Sequence, residues 1–153
     1  MSAISLLKRD HDSLKALLRE LEPTTERAVK TRTELFDRIK QELTVHEAIE
    51  EEIFYPTLKQ HPRAREIVLE GYEEHNVVDT LMSELEALPV DDETWGAKAS
   101  VMIENIEHHI EEEEGDMFKK AQQVFDDKEL DELGNVMAER KAELLSAARA
   151  GRL

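Results

Sequence analysis

Two stretches decide how this chain folds: HEAIEEEIFY, from His46 to Tyr55, and HIEEEEGDMF, from His109 to Phe118. Each opens on histidine, carries glutamate at its fifth and sixth positions, and closes on apolar and aromatic residues. An acidic run of this kind is ordinarily a solvated face. Here, however, the apolar residues on either side recur every three or four positions, which is helical spacing. The spacing runs unbroken through Leu43, His46, Glu50 and Ile53, and again through Ile106, His109, Glu113 and Met117. Histidine and the glutamate four residues on therefore share the core-facing side of a helix, about one turn apart.

Breakers on both sides divide the chain into five helical stretches. The first runs from about Ser2 to Leu21, before Pro23. The second starts at Thr24 or later and reaches Tyr55, where Pro56 is expected to end or kink it. The third spans about Pro62 to Leu88. A loop, LPVDDET, follows, with Asp91 or Asp92 as the expected N-cap, and the fourth stretch covers about Glu93 to Val124. A short fifth helix, about 126–150, is expected to be interrupted near Gly134. Four long amphipathic helices with mostly short connections predict an all-α domain over residues 1–153. Its core is an antiparallel up-down-up-down four-helix bundle, about 1–124, with the short C-terminal helix added.

Each apolar stripe has a gap at the same depth. His11 falls between Leu7 and Leu14, and His75 between Val68 and Val78, while the other two gaps hold His46 with Glu50 and His109 with Glu113. The pattern is an internal repeat. HDSLKALLREL from His11 matches HNVVDTLMSEL from His75, as HEAIEEEIFY matches HIEEEEGDMF; the histidine separations are 46 − 11 = 35 and 109 − 75 = 34 residues. Two equivalent hairpins would set four histidines and two glutamates around an approximate two-fold axis.

Six such groups in an apolar interior need compensation. A buried carboxylate must be paired, protonated or metal-bound, and each nitrogen of a buried neutral imidazole needs a partner. A metal site satisfies both demands. Two ions fit the count: two histidines for each, Glu50 and Glu113 bridging, and a solvent-derived oxo or hydroxo bridge as fifth ligand. One position on each ion then stays open for a small ligand. Nitrogen and oxygen ligation suits iron, manganese or zinc.

Composition narrows the rest. The net charge of 20 − 36 = −16 disfavours nucleic acid and anionic membranes as partners. The absence of cysteine excludes disulfides, thiolate zinc sites and cysteine-ligated iron–sulfur clusters. The N-terminal stretch turns charged within about eight residues, unlike a secretory signal, and no apolar run reaches membrane-spanning length. A cytoplasmic location is the expectation.

The ordered set His11, His46-x-x-x-Glu50, His75, His109-x-x-x-Glu113 resembles the hemerythrin-like, HHE cation-binding family over about residues 1–122. The resemblance implies a non-haem di-iron centre inside an antiparallel four-helix bundle. It is unlike the ferritin-like pattern of Glu-x-x-His, since no histidine here has glutamate three residues before it. Relative to the oxygen-carrying hemerythrins, Gly71 stands where they have a further histidine and Glu113 where they have aspartate. The four-His, two-Glu set is similar to that of hemerythrin-like domains linked to iron sensing, nitric-oxide stress and iron–sulfur repair.

The implied function is binding or reaction with oxygen, peroxide or nitric oxide, with an external electron donor for any reduction. The alternative is iron storage, sensing or delivery, including iron–sulfur repair, without turnover. Tyr72, one turn before His75, and Glu47, beside His46, are candidates for extra ligands, and Glu74 for a proton relay. His61 and His108 are expected at the surface, and Glu111, Glu112 and Glu114 at the surface or in support of a ligand.

Overall fold

The computed structural model describes residues 1–153 and is entirely helical. Helix α1 (Ala3–Leu21) packs on α2 (Val29–Ile49), and α4 (Pro62–Glu86) packs on α5 (Trp95–Glu112). Two short helices, α3 (Tyr55–Lys59) and α6 (Phe118–Val124), extend α2 and α5, each across a π turn: Glu50–Phe54 and Glu113–Met117. Helix α7 (Asp127–Arg149) lies against α1 and α2. No helix is long and apolar enough to cross a membrane.

Local chemistry sets the ends. The Ser2 hydroxyl accepts from the Ser5 amide to start α1. Asp126 and Glu129 form a reciprocal capping box at the start of α7, satisfying two amides that the helix cannot. Asp92 does not cap α5. It accepts from the Thr94 amide and hydroxyl at 2.8 and 2.7 Å, closing a tight turn, so the helix begins only at Trp95 with Thr94 as its N-cap.

Two other expectations need correction. Pro56 does not end the second helical stretch. It is the second residue of α3, just past the π turn where bonding changes from i→i−5 back to i→i−4, so its missing N–H falls beside the change of ladder. Gly134 does not interrupt α7, which is continuous to Arg149. The N-terminus crosses there: a Cβ at Gly134 would stand 2.1 Å from the Met1 carbonyl and 2.7 Å from the Ala3 amide nitrogen. The glycine lets two backbones touch.

The apolar interior divides into two clusters. One gathers Leu7, Val45, Ile49, Phe54, Tyr55, Val68, Met117 and Phe118 with the α7 residues Leu130, Met137 and Leu144. The other gathers Leu14, Leu18, Ile39, Leu43, Val78, Leu85, Trp95, Met102 and Ile106. Along α1, α4 and the α2–α3 and α5–α6 stretches the break between clusters is the gap in the apolar stripe. His11, His46, Glu50, His75, His109 and Glu113 fill it as a polar layer, all buried.

Candidate metal centre

The six residues converge as two overlapping sets. Ligand atoms of His11, His46, Glu50 and Glu113 lie within 4.8 Å of one another, and so do those of Glu50, His75, His109 and Glu113. The glutamates belong to both. Glu50 Oε1 faces His46 Nε2 at 3.2 Å and His75 Nε2 at 3.1 Å. Glu113 faces His11 Nε2 at 3.0 Å and His109 Nε2 at 3.1 Å. Each carboxylate thus joins one histidine from each hairpin.

A second ring of carboxylates aims the imidazoles. His11 Nδ1 bonds Glu114 at 2.7 Å, His46 Nδ1 bonds Asp10 at 2.9 Å, His75 Nδ1 bonds Glu51 at 2.8 Å and His109 Nδ1 bonds Glu74 at 2.6 Å. A proton held on Nδ1 leaves the Nε2 lone pair free, which is how ligating histidines are commonly oriented. The ring obeys the repeat. The residue before the first histidine of a hairpin (Asp10, Glu74) supports the second histidine of that hairpin. The residue after the shared glutamate (Glu51, Glu114) supports the first histidine of the other hairpin. This regularity was visible in the sequence as an acidic residue at each of these offsets. Glu114 is therefore a supporting residue rather than part of the solvated face, and Glu74 bonds an imidazole directly.

The π turns bring in a residue that helical spacing hides. Five positions after Glu50, Tyr55 would lie about 140° around an α-helix from it. The π turn, closed by the Tyr55 amide on the Glu50 carbonyl, swings it inward. Its hydroxyl donates to Glu113 and lies 3.4 Å from His75 Nε2 and 3.3 Å from His109 Nε2. The ring stacks on His75 with centroids 5.3 Å apart. Tyr72 packs edge-on against Tyr55 at 5.1 Å. Glu47 lies on the far side of His75, its Oε2 4.0 Å from Nδ1 rather than Nε2. His108 is exposed, 3.2 Å from Glu112, whereas His61 is half-buried edge-on against Phe125, at 5.2 Å.

Electrostatics fit a cation. Burial disfavours the imidazolium of His46, yet the Glu50 charge and the Asp10 bond outweigh it and hold its pKa well above the usual value. Burial is likewise outweighed at His75, where bonds to Glu50 and Glu51 raise the pKa to about 9, and at His109, where Glu113 dominates. Burial would raise Glu50, but the His46 charge holds it well below the carboxylate range. Burial, then the charges of Glu113 and Glu50, push the Tyr55 phenol up. Positive charge is thus favoured at His46, His75 and His109 around Glu50, and a divalent metal would supply it in place of protons. Two atoms in the layer, His46 Nε2 and Glu50 Oε2, are buried without a hydrogen-bond partner, although such groups are normally satisfied. The nitrogen and oxygen donors suit a metal ion.

Comparison with known proteins agrees with this chemistry. The family profile described as hemerythrin HHE cation binding domain matches residues 2–121. Uncharacterized proteins of Mycobacterium bovis and Mycobacterium tuberculosis are 34% identical over 148 residues, covering 94% of this chain and 88% of theirs. The crystal structure of a hemerythrin HHE cation binding domain-containing protein from Mycobacterium kansasii superposes with a TM-score of 0.83. That protein is 28% identical, and the match covers 100% of this chain and 95% of the other.

Proposed function

The chain belongs to the hemerythrin HHE cation-binding family, and we propose that its polar layer holds two iron ions that bind or react with oxygen, peroxide or nitric oxide. His11 and His46 would hold one ion, His75 and His109 the other, with Glu50 and Glu113 shared. The observation that carries this reading is the pair of four-residue sets with both carboxylates in common. When bound, such a pair supplies redox capacity and a place for a small ligand.

The chain's own residues do the rest. The second ring of carboxylates fixes the imidazole tautomers. Two apolar clusters exclude water from above and below the layer, which strengthens every charge interaction inside it. Tyr55 holds an O–H against Glu113 between His75 and His109, so a ligand on that side meets a phenol whose donor it can take only in exchange for Glu113. Reduction of a substrate would draw electrons from an external donor.

Anaerobic reconstitution with ferrous iron, followed by metal analysis and an optical spectrum, tests the reading. About two irons per chain and the charge-transfer absorption of a bridged di-iron centre are expected. Unchanged iron content in His46→Ala or Glu113→Ala would overturn it. Peroxide and nitric-oxide consumption by the loaded protein then separates turnover from iron storage or delivery.

A further inference from the structure

We propose that Glu47, Glu51 and Asp79 form a third, outer site for a divalent cation, on the solvent side of His75, through which metal reaches the polar layer. Glu47 and Glu51 stand one helical turn apart on the stretch that carries His46 and Glu50, and ligand atoms of Glu47, Glu51 and His75 lie within 4.8 Å of one another. Asp79, one turn beyond His75 on α4, is close enough to Glu47 that its charge helps push the Glu47 carboxyl up. Glu47 is only 6% exposed, and no amide, amine or hydroxyl of the chain donates to its buried Oε2. An oxygen left so is costly unless a proton or a cation takes it up. Glu51, 39% exposed, opens the cluster to solvent.

The molecule contains its own control. Under the repeat, Glu47, Glu51 and Asp79 correspond to Ile110, Glu114 and Lys15. At that equivalent place Lys15 and Arg19 line a shallow depression with Ile110 and Glu114. That side of the fold therefore carries basic side chains beside its carboxylate, although none of them ion-pairs with Glu114. The other pairs its carboxylates with no lysine or arginine, the only basic partner of Glu47 and Glu51 being His75. Two converging carboxylates with Asp79 beside them, and no built-in cation, suit a hard, oxygen-seeking divalent ion such as ferrous iron, manganese or magnesium. The site shares His75 with the polar layer, Nδ1 facing outward to Glu51 and Nε2 inward to Glu50. An ion held here is one side chain away from the layer.

Binding at the outer site is independent of what the layer holds; its delivery role rests on the di-iron reading. Protein loaded with ferric iron is titrated with Mn2+ while the spin resonance of free Mn2+ is followed. One saturable equivalent beyond the core metal is expected, weakened about tenfold or more in Asp79→Asn and in Glu47→Gln. Core iron content should not change. Asp79 is exposed and Glu47→Gln nearly isosteric, and thermal melting verifies that both variants fold. No Mn2+ uptake by the wild type, or equal affinity in both variants, overturns the site. For delivery, metal-free protein is mixed with ferrous iron: Asp79→Asn should fill the core several-fold more slowly to the same end point. Equal filling rates overturn that role. If the wild-type core takes up no iron at all, the di-iron reading fails, while the Mn2+ titration of the metal-free chain still decides the outer site.

Discussion

Tyr55 and Phe118 occupy equivalent places in the two halves of the polar layer, each one π turn after a shared glutamate, and they face it differently. Tyr55 stacks on His75 and turns a hydroxyl toward Glu113; Phe118 stacks on His11 at 6.0 Å and offers only carbon. Behind them the pattern repeats. Gly71 leaves room for the phenol, a Cβ there standing 2.9 Å from its oxygen, while the repeat-equivalent Leu7 is fully buried. The histidines and glutamates preserve the two-fold symmetry and the residues covering them break it. One half of the centre is polar at its lid and the other is sealed.

The largest effect should come from removing what the halves share. Glu50→Ala or Glu113→Ala takes a carboxylate from both sets, whereas His11→Ala or His75→Ala takes one imidazole from one. Metal content measured after reconstitution is expected to fall from about two per chain to near zero in the glutamate variants, and to about one in the histidine variants. Equal losses would mean that the halves do not bind separately.

Metal removal should expose the layer's charges next. In the metal-free chain the pKa of His75 is raised to about 9, against an ordinary 6.5, and those of His46 and His109 are raised as well. Groups raised in this way contribute stability that is full below the ordinary histidine pKa and is lost as pH climbs through the folded value. Glu47, pushed up to about 9 by burial and then Asp79, adds the same sign, because the folded state keeps a proton that the unfolded state releases. The melting temperature of metal-free protein is therefore expected to fall steadily from about pH 6 to about pH 9. Metal-loaded protein, its protons already displaced, should show little of this slope.

Making the halves alike is a smaller change. Tyr55→Phe leaves the stack on His75 but strips a donor from buried Glu113, a loss of about 1–3 kcal/mol in the metal-free chain. Metal content should stay near two, and the optical spectrum of the loaded protein should shift, since the phenol no longer lies beside His75 and His109. Leu7→Gly combined with Phe118→Tyr builds the opposite case, a hydroxyl over His11. An unchanged spectrum in Tyr55→Phe would show that the two lids are equivalent in effect. Gly71→Ala presses on the same phenol from behind and should destabilise by about 1–3 kcal/mol.

The symmetric part of this comparison was legible in the sequence; the part that breaks it was not. Histidine and glutamate four apart, repeated in two hairpins at gaps in an apolar stripe, placed all six core residues in the buried layer, because α-helical spacing governs those positions. Tyr55 escaped because helical spacing fails across the π turn, and nothing in EEEIFY announces an extra residue in that turn. Tyr72 drew attention in its place by lying on the α-helical face of His75. Asp10, Glu51 and Glu114 stood at repeated offsets but looked like the ordinary charge of an acidic surface. Gly134 read as a helix break because glycine weakens helices, whereas a crossing N-terminus, a long-range contact, is what requires it.

The smallest expected effect concerns the supports of His46 and His109. Asp10 is the one supporting carboxylate that also takes a lysine, Lys141 of α7; Glu74, its counterpart, has only exposed His108 nearby, at 3.8 Å. Helix α7 touches the first hairpin alone in this way. A cation on Asp10 draws charge from the carboxylate that polarises His46, so it tunes the His11–His46 half and leaves the other untouched. Lys141 is 34% exposed, and water screens much of its influence. Lys141→Met is thus expected to alter affinity at one metal position by only a few-fold, against the 10–100-fold typical of losing a supporting carboxylate outright. Lys141→Arg should restore it. Sequential metal titration resolves the two positions, and a change at both would show that α7 acts through the stability of the bundle rather than through Asp10.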